Sequence, residues 1–275
     1  MHACYNGLKN RGRSFRIECN AFIEITLVVT TVLTLIWADW NKHKGISMKR
    51  FSVLSLIVLL IPSVVSAQDQ PPVISAPAGG VPSDAIVLFD GSGLGEWTYT
   101  DGRPAGWVVA DGTMTVKDGG IVTKREFGDI QLHVEFATPE NPTGEGQDRG
   151  NSGIYVHGAY EVQVLDSYGN ETYADGMAGA VYEQYPPLVN PSRPPGVWQV
   201  YDIVFRAPRF DPAGKIVERP TFTVMFNGVL VQDNVVIQGP TRAAIRTTEE
   251  PTGPIFLQDH NHPVKYRNIW VRELD

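Results

Sequence analysis

The stretch IQLHVEFAT, residues 130–138, decides the fold class. Ile130, Leu132, Val134 and Phe136 alternate with Gln131, His133 and Glu135, the period of an extended chain whose side chains leave on opposite faces. One face is therefore buried and the other wetter. Alternation of this kind recurs roughly every 10 to 15 residues from Asp84 onward, and no window of useful length carries helical periodicity. Residues 221–226 and 229–232 flank Asn227-Gly228, a strong hairpin signal because both turn positions need positive φ. Further strands are expected over 86–89, 107–110, 113–116, 153–157, 160–165, 199–206, 254–258 and 264–272. About a dozen strands in one all-β domain, residues 84–275, fit a two-sheet jelly-roll sandwich better than a seven-strand immunoglobulin sandwich. The loops over 139–150 and 183–197 are rich in Pro, Gly and charge, and long loops on a sandwich often wall a binding site.

The first quarter of the 275 residues has a different character. Met48-Lys49-Arg50 gives a short basic start, residues 51–61 are apolar apart from two serines, and Val65-Ser66-Ala67 offers small residues for cleavage. Residues 48–67 thus read as a signal peptide, since the apolar run is shorter than the roughly 20 residues that span a bilayer. Residues 25–37 are apolar too, bracketed by Glu24 and Asp39; residues 1–47 are expected to be an over-extended start ahead of Met48, with an anchor over 21–40 as the alternative. Residues 68–83, rich in proline and carrying Gly79-Gly80, read as a linker.

Removing residues 1–67 takes away 8 of the 23 Lys and Arg but only 3 of the 30 Asp and Glu, leaving 15 against 27 and a net charge of −12. An acidic surface repels nucleic acid and anionic membranes, so neither is an expected partner beyond the N-terminal signal or anchor itself. Cys4 and Cys19 both lie in the removed part, which leaves no disulfide, no thiol nucleophile and no lipid-anchor cysteine after Ala67. The expected location is periplasmic or secreted.

Chemistry-bearing residues cluster in two places. In YEVQVLD, residues 160–166, Glu161 and Gln163 share one face while Val162 and Val164 take the other. That polar face is either a solvated outer surface or the wall of a site. Asp166 has the opposite parity and joins it only through a bulge near Leu165. The strand partly resembles the acidic bulged strand of glycoside hydrolase family 16, but Gln163 stands where a second acid belongs, which disfavours two-carboxylate hydrolysis. Upstream, Arg149 and Asn151 offer a cation and an amide, Arg149 either holding a substrate oxygen or pairing within its own loop. A lone His157 reads as structural. In LQDHNHP, residues 257–263, His260 can act as a base near neutral pH, and Asp259 beside it would raise its basicity. His260, His262 and Asp259 also suggest a divalent metal cation, although they supply too few ligands by themselves.

Several segments together resemble the 3-keto-disaccharide hydrolase family, also described as a 3-keto-glucoside 1,2-lyase and 3-keto-2-hydroxy-glucal hydratase domain. They are Leu88-Phe89-Asp90-Gly91 with Trp97, Thr123-Lys124 with Phe127, NSGIYVHG (151–158), YEVQVLDSYG (160–169), GAVYEQYPP (179–187), Pro195-Gly196-Val197-Trp198 and GPIFLQDHNHPVKYRNIWVREL (253–274). The resemblance implies a concanavalin A-like jelly roll acting on glycosides oxidised at carbon 3. A ketone there acidifies the carbon 2 proton, so a base removes it, the aglycone leaves carbon 1, and water then adds. On this resemblance His260 is the expected base, with Asp166 or Glu161 as its alternative or as the leaving-group acid. Lys124, Arg149 or a metal would stabilise the enolate, Gln163 and Asn151 would bind hydroxyls, and Trp198 or Tyr182 would stack on the sugar. For any one of Trp97, Trp198 and Trp270, core packing is the favoured reading over a place at the sugar. A non-catalytic carbohydrate-binding jelly roll and a family-16-like hydrolase are the competing readings.

Overall fold

A computed structural model describes residues 70–274. The expected signal peptide and the expected over-extended start or anchor lie outside the described residues, within which no helix is long and apolar enough to cross a membrane. Residues 70–85 contain no strand, and Ser75 and Ser83 close them into a loop through a backbone bond of 2.9 Å and a hydroxyl bond of 3.0 Å. Asp84 then takes a forked contact from Arg272 at 2.7–2.9 Å, tying the beginning of the domain to its last strand.

Fifteen strands follow: β1 Ile86–Phe89, β2 Trp97–Tyr99, β3 Val108–Ala110, β4 Thr113–Thr115, β5 Ile121–Phe127, β6 Ile130–Ala137, β7 Ser152–Val156, β8 Tyr160–Val164, β9 Gln199–Arg206, β10 Arg209–Phe210, β11 Ile216–Glu218, β12 Thr221–Phe226, β13 Val229–Val236, β14 Gly253–Leu257 and β15 Lys265–Glu273. All pairings are antiparallel. An eight-stranded sheet runs β13-β12-β9-β6-β15-β4-β3 with β1 also on β15, a five-stranded sheet runs β2-β5-β14-β7-β8, and β10-β11 is a separate ribbon. One apolar cluster draws Leu132, Val134 and Phe136 from the larger sheet and Ile154, Val162 and Val164 from the smaller, so the two sheets form a jelly-roll sandwich around a single core.

The expected period holds on β6, where alternate residues are buried and the intervening ones half-exposed. Strand β5 is less legible because Lys124, Arg125 and Glu126 are exposed in its middle, and its pairing with β14 shifts register there. Trp97 fills the core with its indole N–H donating to the Leu88 carbonyl at 2.8 Å. Trp270 stacks flat on His133 on the outer face of the larger sheet, where a bulge at Arg267 and Asn268 changes the parity of β15.

Candidate active site

The site is built on the outer face of the smaller sheet. Val156 to Ala159 form a tight turn in which His157 and Gly158 both have positive φ and the Ala159 N–H reaches the Val156 carbonyl, the geometry that twists as the strands do. That turn sets the register: Gly153 lies opposite Gln163, and Tyr155 opposite Glu161. These four residues therefore share one face, while Val162, Val164 and Ile154 point into the core. Gly153 is required here by space, since a Cβ would fall 2.3 Å from Glu161 Oε1 and 2.8 Å from the Tyr155 ring. The bare backbone is the floor on which the Glu161 carboxyl rests. Alongside, the Gln258 N–H bonds the Gly153 carbonyl at 2.9 Å, bringing Gln258 and the chain toward His260 to the same face.

Three segments cover this face. Thr241 clips the 239–246 loop onto β8, donating through both N–H and hydroxyl to the Ala159 carbonyl and accepting from the Glu161 N–H at 3.0 Å. Arg242 and Ala243 follow, Ala243 at φ +61°, a left-handed conformation that costs a residue with a side chain about 1–3 kcal/mol and that clusters at functional sites. Residues 173–185 run along the free edge of β8 through bonds between Gly179 and Gln163, Gln163 and Ala180, and Tyr182 and Glu161. Gln147 and Asn151 close the third side, with Asn151 Nδ2 donating to the Gln147 carbonyl at 2.8 Å. The open cavity between them has a volume of about 220 Å³, and its walls include Tyr155, Glu161, Gln163, Tyr182, Arg242 and His260.

Glu161 dominates the electrostatics. Its side chain is almost wholly buried, and burial drives its pKa up to about 8, with the Glu183 charge adding to the rise and the nearby Tyr155 hydroxyl offsetting part of it. The carboxyl thus carries a proton at neutral pH. Burial, then the Glu161 charge, raise the Tyr155 phenol well above its ordinary value; its O–H donates to the Arg242 carbonyl at 3.1 Å and accepts from Gln258 Nε2 at 3.1 Å. Burial raises the Tyr182 phenol as well, and its hydroxyl is hydrogen-bonded to that of Tyr173 at the rim. The Arg242 guanidinium reaches Glu183 through one N–H at 3.0 Å. His260 is exposed at the mouth, its ring parallel to that of His262 at 6.0 Å.

Residues 84–272 match the 3-keto-alpha-glucoside-1,2-lyase-like domain family. The chain belongs to that family. It is also similar, at 42% identity and a TM-score of 0.70 over 84% of this chain and 96% of the other, to the crystal structure of a "putative glycosyl hydrolase" from Parabacteroides distasonis ATCC 8503. A second structure of that description from the same organism shares 20% identity with a TM-score of 0.53, covering 70% of this chain and 94% of its own, and shares the fold. No curated protein sequence matches the chain. Membership makes this a glycosyl hydrolase-like, carbohydrate-processing domain with a sugar as substrate.

Of the residues expected from the sequence of this lyase-like domain, Glu161, Gln163, Asn151, Tyr182 and His260 converge on the cavity. Four others do not. Asp166 is turned away because β8 ends at Val164 and no bulge brings Asp166 to the Glu161 face; its oxygens take Arg149 Nε at 2.8 Å and the Tyr168 N–H at 3.2 Å. Arg149 is spent on that same ion pair, which reaches past β7 and β8 to Asp166 and so is neither a substrate contact nor a pairing within its own loop. Lys124 sits exposed on β5 with its ammonium on the Gly95 carbonyl. Trp198 lies against the outer face of the larger sheet, under the Arg267 guanidinium at 4.0 Å, and so stacks on arginine instead of sugar.

Asp259 also departs from its expected role. Its two oxygens accept from the N–H groups of Gly119 and Asn261, at 2.8 and 2.7 Å, so it organises the loop instead of backing His260. The same turn removes it from any ligand set with the two histidines, and among the described residues no three His, Cys, Asp or Glu side chains converge as a metal site would require. His157 is structural as expected: its buried ring packs edge-on against Phe205 at 4.7 Å, and burial depresses its pKa and keeps it neutral. The sequence alone did not point to Gln147, Tyr155, Tyr173, Glu183, Arg242 or Gln258. For Tyr155 the hairpin register was the missing signal, and Arg242 sits in a loop with no periodicity at all.

Proposed function

We propose that this domain cleaves 3-keto-glycosides by elimination followed by hydration. His260 removes the proton from carbon 2, the carbon–hydrogen electrons form the double bond between carbons 1 and 2, and the aglycone departs from carbon 1 with a proton from Glu161. Water then adds at carbon 1, giving its proton to the Glu161 carboxylate, while the His260 imidazolium returns a proton to carbon 2. Both groups finish as they began. Arg242 lines the wall, and its guanidinium, which spends one N–H on Glu183, suits through the others the oxygen of the ketone as it gains enolate charge, replacing Lys124 and Arg149 in that role.

One observation carries this reading: the cavity wall holds a single carboxyl, Glu161, which is protonated near neutral pH, together with one accessible histidine. Conventional glycoside hydrolysis needs two carboxyl groups flanking the bond. Elimination next to a ketone needs one base and one acid, and a buried acid beside an accessible imidazole is such a pair. The leader-like residues 48–67 support export, with the reaction in the periplasm or outside the cell.

Incubating the purified protein with a 3-keto-glucoside and its unoxidised counterpart tests the proposal. Aglycone should be released from the oxidised compound alone, and far more slowly by His260→Ala. Release from the plain glucoside, or from neither, refutes it.

A further inference from the structure

A chain of amides runs from the backbone to the cavity wall, and its direction is fixed. The Gly176 carbonyl can only accept. Gln147 Nε2 donates to it at 2.8 Å and to Thr172 Oγ1 at 2.9 Å, so the Gln147 oxygen faces the other way. That oxygen accepts from Gln163 Nε2 at 3.0 Å. Turning Gln163 over would set two oxygens against each other, and turning Gln147 over would set an oxygen against the Gly176 carbonyl. At the far end stands Gln163 Oε1, in a residue 1% exposed, with no hydrogen-bond partner among the described residues. A buried acceptor left unpaired is costly, and those in native proteins call for an explanation.

We infer that Gln163 is the specificity-determining acceptor for one ring hydroxyl of the sugar, held in that polarity by Gln147 as a positioning residue. The inference rests on the cavity being a sugar site, though not on the 3-keto chemistry. Of the groups a glucose ring can present, only an O–H satisfies Gln163 Oε1; a hydrogen leaves it unpaired, and a carbonyl oxygen repels it. The ketone of a 3-keto-glycoside is thereby excluded from the Gln163 side and turned toward another part of the wall. A polar strand position that looks merely permissive thus selects the orientation of the ring.

Calorimetric titration of the wild type with glucose and its monodeoxy series tests this. One member of the series should bind about 10- to 100-fold more weakly than glucose, the ratio expected when a buried polar group loses its partner. Gln163→Met should bind glucose as weakly as the wild type binds that analogue, and should no longer tell the two apart. Gln147→Met, which leaves Gln163 in place but free to turn over, should shrink the same ratio; circular dichroism establishes that both variants are folded. Equal affinities across the series in the wild type, no glucose binding at all, or discrimination that survives Gln163→Met would each overturn the inference. Turnover of 3-keto-glucosides is measured separately, so absent turnover with intact discrimination would sink the reaction and leave the acceptor standing.

Discussion

Replacing Glu161 by glutamine should make the domain more stable in mild alkali while abolishing turnover. In the folded protein the Glu161 pKa is about 8, against 4.5 for the unperturbed group, because its carboxyl is buried over Gly153 with Glu183 nearby. A raised carboxyl pKa means that the folded state binds the proton more tightly than the unfolded chain. The wild type therefore has its full stability below about pH 4.5, loses about 1.4 kcal/mol for each pH unit above that, and levels off once the folded group ionises near pH 8. The whole decline is on the order of 5 kcal/mol, an upper figure for a group whose cavity admits water. Glutamine has the same shape and no charge, so Glu161→Gln should match the wild type near about pH 4 and exceed it by several kcal/mol near about pH 9. Urea unfolding at intermediate pH values reads this directly, provided the slope with denaturant is unchanged. The amide cannot release a proton to a leaving aglycone, so turnover should vanish at every pH. A stability difference that stays flat across this range would refute the buried, proton-bearing assignment of Glu161, and residual turnover near the wild-type rate would refute its role as acid.

Gly153→Ala should lower kcat/KM about 100-fold or more, because its Cβ would meet Glu161 Oε1 at 2.3 Å and a displacement of about 1 Å at a reacting group costs that much; wild-type kinetics in this variant would show that Glu161 needs no such seat. His260→Ala should cut kcat by roughly 100- to 10,000-fold with thermal stability nearly unchanged, since the residue is exposed. Asp166→Asn should do the reverse, costing roughly 1–3 kcal/mol of stability through the weakened Arg149 pair while leaving the shape of the pH–rate profile intact; a shifted profile would return Asp166 to the chemistry. Trp198→Ala should leave sugar affinity unchanged, and a loss of binding would mean that Trp198 reaches the substrate.

Much of the fold was legible because burial on one side of a sheet writes itself into the chain with a period of two. IQLHVEFAT showed it, and the strand it implied is β6 almost to the residue. Asn227-Gly228 announced its hairpin for an equally local reason, the need for positive φ in a tight turn. Strand β5 was harder to see, since three charged residues interrupt its alternation where it is exposed to solvent. The candidate site was legible by strand parity only along β8, while Asn151, Tyr182 and His260 were legible as residue types without their placement. Strand parity correctly paired Glu161 with Gln163 and set Asp166 apart, because parity is a property of one strand.

How a second strand and the loops are placed against β8 lay beyond the sequence. The β7–β8 register places Gly153 and Tyr155 against Gln163 and Glu161, and a slip of one residue would put Ile154 there instead. Loop closure decides which basic residue lines the cavity: Arg242 does, paired with Glu183 through one N–H, while Arg149 and Lys124, equally charged, are held away from it by Asp166 and the Gly95 carbonyl. A residue type states what a side chain can do, and the sequence of the 151–170 hairpin supplied the acid, the amides and the turn. Whether Glu161 carries its proton at neutral pH is decided by the water that three covering segments exclude, and those segments come from parts of the chain far apart in sequence that only folding brings together.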